Sequence, residues 1–146
     1  MRMRWMAPRA LVLLAWCSSV AGASAQLSVG DAWIRTPPPG MRMLAGYAVL
    51  HNGGDQAVAV TAAGSAEFAS ASLHESSESN GVARMRALDR VEVPAHASVA
   101  LKPGGMHLML MQPRRELKAG DRVAVRLQTS DGREVAVDFV VRDDVP

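Results

Sequence analysis

The sequence predicts an all-β fold, a sandwich or barrel with Greek-key connections, and three observations carry that reading. Apolar and polar residues alternate in short runs, Leu44–Leu50, Gln56–Thr61, Arg122–Gln128 and Glu134–Val141. Turn-forming sequences recur between such runs: Pro37-Pro38-Pro39-Gly40, Asn52-Gly53-Gly54, Asn80-Gly81, Pro103-Gly104-Gly105, Ala119-Gly120-Asp121 and Asp131-Gly132. Beyond residue 25, no stretch keeps a helical period for three turns. Many short strands broken at this spacing must bury their apolar faces against one another, which a sandwich or barrel does.

In the last run Val135, Val137, Phe139 and Val141 fall on one face, while Glu134, Asp138 and Arg142 interrupt the other. Asp131-Gly132 is expected to turn the hairpin ahead of it as a type I′ turn, which needs positive φ at both central residues. Neither an internal repeat nor an interdomain linker is apparent, and residues 26–146 suit one domain.

The first 25 residues read as a cleaved signal peptide. Arg2, Arg4 and Arg9 make a basic start, and Ala10–Val20 is apolar. That stretch falls short of the roughly 20 residues of a membrane-spanning helix, which argues against an uncleaved anchor. Ala23-Ser24-Ala25 fits a small-x-small cleavage site, leaving Gln26 as the new N-terminus of an exported, periplasmic protein. A lipid-anchored form would use Cys17, but Trp16 stands where a lipobox wants a small residue.

Cleavage removes three of the 16 Lys+Arg and none of the 14 Asp+Glu, leaving 13 basic against 14 acidic residues, a net charge of −1. The basic character of the whole chain therefore belongs mostly to the leader and is no argument for nucleic acid. The only Cys also goes. Without a thiol the remainder can form neither a disulfide nor a blue-copper centre. No Gly-x-Ser-x-Gly or similar nucleophile motif is present, so the chain does not read as an enzyme.

Four His (51, 74, 96, 107) and six Met (41, 43, 85, 106, 109, 111) remain after residue 25. Imidazole nitrogen and thioether sulfur form a soft, neutral donor set that favours Cu(I) over hard cations. In Met106-His107-Leu108-Met109-Leu110-Met111 a strand would place His107, Met109 and Met111 on one face. Met106, Leu108 and Leu110 would then face the core. If Asn80-Gly81 are the central residues of a hairpin turn, position 74 pairs with 87, and Met85 becomes a same-face diagonal neighbour of His74.

His74, Met85, His107 and Met109 together spell His-x10-Met-x21-His-x-Met. That spacing resembles the signature of the PCu(A)C periplasmic copper chaperones. The segments Ala32–Arg35, Tyr47–Asn52, Leu73–Glu75, Met85-Arg86, Lys102–Met111 and Leu117–Asp121 also look like that family. The resemblance implies a cupredoxin-like Greek-key β-barrel and one Cu(I) on His74, Met85, His107 and Met109. It further implies donation of copper to a recipient protein, such as the cytochrome c oxidase copper site or its assembly factors. The chain is read as a monomer. Some members add a His/Met-rich tail, whereas this sequence ends Val141-Arg142-Asp143-Asp144-Val145-Pro146.

Plainer readings compete at single positions. Strand methionines such as Met85 and Met106 commonly fill gaps in cores. His51, before Asn52-Gly53-Gly54, reads as a strand-end surface residue, His96 as a loop residue and Trp33 as core. Met41 and Met43 follow a Pro-rich segment and are either accessory thioethers or ordinary contacts; Met111 shares the ligand face as an outer neighbour. Glu75 and Arg84 flank ligands, with solvated charge as their default. The competing function is an exported β-sandwich binding or adhesion module in which the His/Met spacing is accidental.

Overall fold

The computed structural model describes residues 26–143. The expected leader, including Cys17 and the Ala25 cleavage site, lies outside the described residues, as do the last three of the chain. Ten strands and no helix occur among the described residues: β1 (Leu27–Arg35), β2 (Met43–Asn52), β3 (Val58–Gly64), β4 (Phe68–Ser79), β5 (Val82–Leu88), β6 (Val91–Val93), β7 (Ser98–Leu101), β8 (Met106–Pro113), β9 (Arg122–Thr129) and β10 (Glu134–Arg142). The four alternating runs of the sequence became β2, β3, β9 and β10. The alternation did not mark β1, β6 and β7.

Pairing runs β4–β8–β2–β1–β10–β9–β3, and β3 pairs back to β4 through Ala63 and Ala71, so the sheet closes into a barrel. Outside this ring, β5 extends it beyond β4, β6 pairs with β3, and β7 shares β2 with β8. Chain neighbours pair in the antiparallel hairpins β9–β10 and β4–β5. β8 lies between β4 and β2, and β1 pairs in parallel with β10, so long connections cross the barrel as in a Greek key. Inside, Ile34, Leu50, Phe68, Leu108, Leu110 and Phe139 are fully buried at the centre of one core.

One expectation holds with a qualification and one needs correction. Trp33 is buried, as expected, but apart from the main interior cluster. A bulge between Gly30 and Trp33, with Asp31 at φ 48°, shifts the alternation of β1 by one residue. Val29, Ala32 and Ile34 therefore meet the interior cluster, and Trp33 faces the opposite side of the sheet, covered by the Arg142 guanidinium 5.0 Å from its ring. The last hairpin does turn at Asp131-Gly132, but only Gly132 has positive φ (82°), so the turn is not type I′. The amides of Gly132 and Thr129 bond to the carbonyls of Thr129 and Arg133. Those bonds make a three-residue loop whose αL glycine forms a bulge.

Candidate metal site

The Asn80-Gly81 turn forms as the sequence implied. Asn80 (φ 52°) and Gly81 (φ 73°) both take positive φ, and the β4–β5 register pairs Ser79 with Val82, His74 with Ala87 and Ser76 with Met85. Met85 is thus the diagonal same-face neighbour of His74. On the other side of β4, His74 is the register partner of His107, and Ser72 of Met109. β8 shows the expected alternation. Leu108 and Leu110 are fully buried in the barrel, while Met109 and Met111 on the opposite face are only half-buried. The two imidazoles stack with ring centroids 6.1 Å apart and planes at 27°.

β2 supplies the next wall. Met43 pairs with Met111 and Ala45 with Met109, so Met43, Ala45 and Tyr47 share the outer face. A shallow cleft of about 110 Å³ opens there, lined by Met43, Leu44, Ala45, Met85, His107 and Met109. Its lining contains no carboxylate. Among the described residues no group of three or more His, Cys, Asp or Glu that could hold a metal ion stands together. The side-chain donors in the cleft are the His107 imidazole and the thioethers of Met43, Met85 and Met109.

Local backbone geometry orients His107. β7 ends at Leu101, and the Lys102–Gly105 turn, with Gly104 at φ 77°, carries the chain back into β8. That turn aims the Gly105 carbonyl at two donors, the Ser76 amide (3.0 Å) and His107 Nδ1 (3.0 Å). A carbonyl only accepts, so Nδ1 carries a proton, and in the neutral ring the lone pair lies on Nε2. A backbone acceptor commonly fixes the tautomer of a metal-binding His in this way. His74 Nδ1 lies 3.3 Å from Ser72 Oγ, a partner that can donate or accept.

Trp33, Tyr47, His107 and His74 form a row across the outer face, with ring centroids 4.7, 6.4 and 6.1 Å apart in turn. Burial pushes the Tyr47 phenol above its ordinary range, and the Arg35 cation pulls it partly back, so Tyr47 stays neutral beside the imidazoles.

The remaining residues singled out from sequence divide. His51 is exposed, with Nδ1 2.6 Å from Ser98 Oγ, and His96 sits in a turn at φ 54° with Nε2 2.7 Å from Asp55. Both are surface residues, as expected. Glu75 pairs with Arg86 at 2.6 Å, and Arg84 is exposed; strand alternation puts all three on the face opposite His74 and Met85. Met106 packs against the core. Met41 lines a different cavity, with Pro37–Gly40 and Arg114.

Tyr47 and the Gly105 carbonyl escaped the sequence reading, which left Met43 open between accessory thioether and ordinary contact. The one available signal was the spacing of Met43, Ala45 and Tyr47 at every second residue.

Comparison with known proteins places this geometry. Residues 27–141 match the family model described as "Putative lipoprotein LpqE-like". The chain belongs to the LpqE-like family. A protein of Leifsonia xyli subsp. xyli (strain CTCB07), named "Putative lipoprotein", is 33% identical over 142 residues, covering 91% of this chain and 84% of its own. Among solved structures, the Cu(I) form of DR1885 from Deinococcus radiodurans is 32% identical with a TM-score of 0.67, covering 86% of this chain and 85% of that one. The apo PCuAC domain of PmoF1 is 27% identical with a TM-score of 0.67, covering 82% and 94%. This LpqE-like chain therefore has the cupredoxin-like barrel of PCuAC domains, as the sequence resemblance implied.

Proposed function

We propose that this protein is a periplasmic copper(I) chaperone. In this reading it binds one Cu(I) through His74, Met85, His107 and Met109 and hands it to a copper-requiring recipient, with cytochrome c oxidase assembly sites as the leading class. One observation carries the reading: the stacked His74–His107 pair adjoins a carboxylate-free cleft lined by Met85 and Met109. Two neutral imidazoles and two thioethers suit a soft monovalent cation. The Cu(I)-bound relative at 32% identity supports the same cargo.

Copper here is cargo, and the protein's own chemistry is to hold and release it. Rigid strands β4 and β8 keep the imidazoles together, so little ordering is needed at the moment of binding. Tyr47 lies beside the buried His107, ring centroids 6.4 Å apart, while Met85 at the cleft is exposed. No thiolate bond has to break on release, which favours exchange into a recipient over tight retention. Export fits the lipoprotein description of the family. Mass spectrometry of the exported protein separates a chain beginning at Gln26 from one lipidated at Cys17.

Anaerobic Cu(I) titration against a chromogenic chelator, with X-ray absorption to count neighbours, tests the site. One Cu(I) with two nitrogen and two sulfur neighbours is expected. Alanine at His74, Met85, His107 or Met109 should weaken binding and leave the circular dichroism spectrum unchanged. Four variants binding like the parent would overturn the assignment, and a parent that binds no Cu(I) would leave the adhesion-module reading standing.

A further inference from the structure

We propose that Met43 is an exchange ligand, a third thioether that replaces Met85 on the same copper ion. The inference rests on the copper reading above and adds to it a residue outside the His-x10-Met-x21-His-x-Met spacing. Its basis is the arrangement of the cleft. His107 and Met109 come from β8, the central strand of this face. Met85 reaches the cleft from β5, on the far side of β4, and Met43 reaches it from β2, on the opposite side of β8. The two thioethers thus flank the same pair of donors from opposite edges.

Their exposure is unusual. The exposed large hydrophobic side chains among the described residues are Met41, Met43, Val82 and Met85, so three of the four are methionines, and two of those meet in one cleft. Exposed apolar side chains gathered in one cleft, unlike single scattered ones, mark a binding surface. Met43 is 47% and Met85 51% exposed, so neither is committed to packing. Methionine has three flexible torsions and adapts to irregular gaps, which lets either sulfur swing toward a shared ion.

The exchange step balances simply. One copper–sulfur bond forms to Met43 and one breaks to Met85; both donors are neutral, so no proton or electron moves. Copper stays on His74, His107 and Met109 throughout, and Met85 is freed on the β5 side. β5 pairs with no strand but β4, and all its residues except Leu88 are exposed. A recipient's donor can therefore approach from that side while Met43 holds the ion from behind.

The test is Cu(I) competition titration on the parent, Met43→Leu, Met85→Leu, the double variant and Met41→Leu, with X-ray absorption for the sulfur count. Leucine keeps the apolar bulk and removes only the sulfur. Met85→Leu should bind Cu(I) less than about tenfold more weakly than the parent and keep two sulfur neighbours. The double variant should fall a further tenfold or more and keep one. Labelled-methyl NMR should show the Met43 methyl shifting on Cu(I) addition to Met85→Leu. Met41→Leu, whose thioether lines another cavity, should match the parent. If Met85→Leu and the double variant bind alike, or Met85→Leu keeps one sulfur, the exchange role is overturned while the four-ligand site stands. If the parent takes up no Cu(I), the copper reading itself fails.

Discussion

Met85 and Met109 differ in their access to solvent, and oxidant chemistry reads the difference. Met85 is 51% exposed, while Met109 is half-buried between β4 and β2. A sulfoxide replaces the soft lone pairs of a thioether with a polar, harder oxygen. Mild peroxide should therefore modify Met41, Met43 and Met85 before Met109, as peptide mass spectrometry would show. Complete oxidation should abolish Cu(I) uptake and methionine sulfoxide reductase should restore it; unchanged affinity after complete oxidation would remove the thioethers from the site. At this scale the shared faces of His74 with Met85 and of His107 with Met109 were legible from sequence, because each pair depends on local geometry, a two-residue turn for one and strand alternation for the other. Tyr47 was not, and Met43 stayed open between accessory thioether and ordinary contact. Their proximity depends on β2 lying beside β8, and no local pattern encodes a pairing between segments more than 50 residues apart.

The β4–β5 hairpin is the element on which the placement of Met85 depends. Its register follows from the Asn80-Gly81 turn, where an L residue at Gly81's φ of 73° costs about 1–2 kcal/mol. β5 lies outside the closed ring and contributes almost no core, so disturbing it should spare the barrel. Gly81→Val should lower the melting temperature by only about 5 °C. It should also weaken Cu(I) binding about as much as Met85→Leu does. Parental copper affinity in Gly81→Val would mean that the hairpin register does not position Met85.

A second element, the turn before β9, carries its own pH dependence. The Asp121 carboxylate accepts from the Lys118 amide (3.0 Å) and from Arg115 (2.8 Å), and these bonds hold it below the usual carboxylate range. A depressed folded-state value contributes stability above the unfolded carboxylate range and loses it as pH falls through the folded value. The metal-free melting temperature should thus fall below about pH 4, and less steeply in Asp121→Asn. Equal acid slopes would show that the turn contributes nothing. The sequence marked this turn through Ala119-Gly120-Asp121 but left the Arg115 link to Glu67 and Asp121 unseen, since Glu67 lies 48 positions away.

At the scale of the whole molecule, the proposed ligands come from three adjacent strands, β5, β4 and β8, on the outside of a barrel that encloses one hydrophobic cluster. The all-β class was legible because alternation is a local property. Closure through Ala63 and Ala71 was not, and neither was the β1 bulge that turns Trp33 outward. This division between interior and outer face lets copper binding and folding be separated by experiment. Global unfolding pulls β4 from β8 and with it His74 from His107, so an ion that bridges them stabilises the native state. The gain is RT ln(1 + [L]/Kd), about 2.7 kcal/mol when free Cu(I) is a hundred times Kd, less any binding to the unfolded chain. For a domain of this size that corresponds to about a 10 °C rise in melting temperature. Protons compete for imidazole nitrogen, so the rise should be full at slightly alkaline pH and shrink in acid. His107→Ala should lose nearly all of it, because the buried imidazole beside Gly105 is gone, while keeping the parent's metal-free melting temperature within a few degrees. Anaerobic differential scanning calorimetry with and without Cu(I), from about pH 7.5 to pH 5, measures both effects. A copper-induced shift that is independent of pH, or equal in His107→Ala and the parent, would mean that the ion sits elsewhere on the barrel.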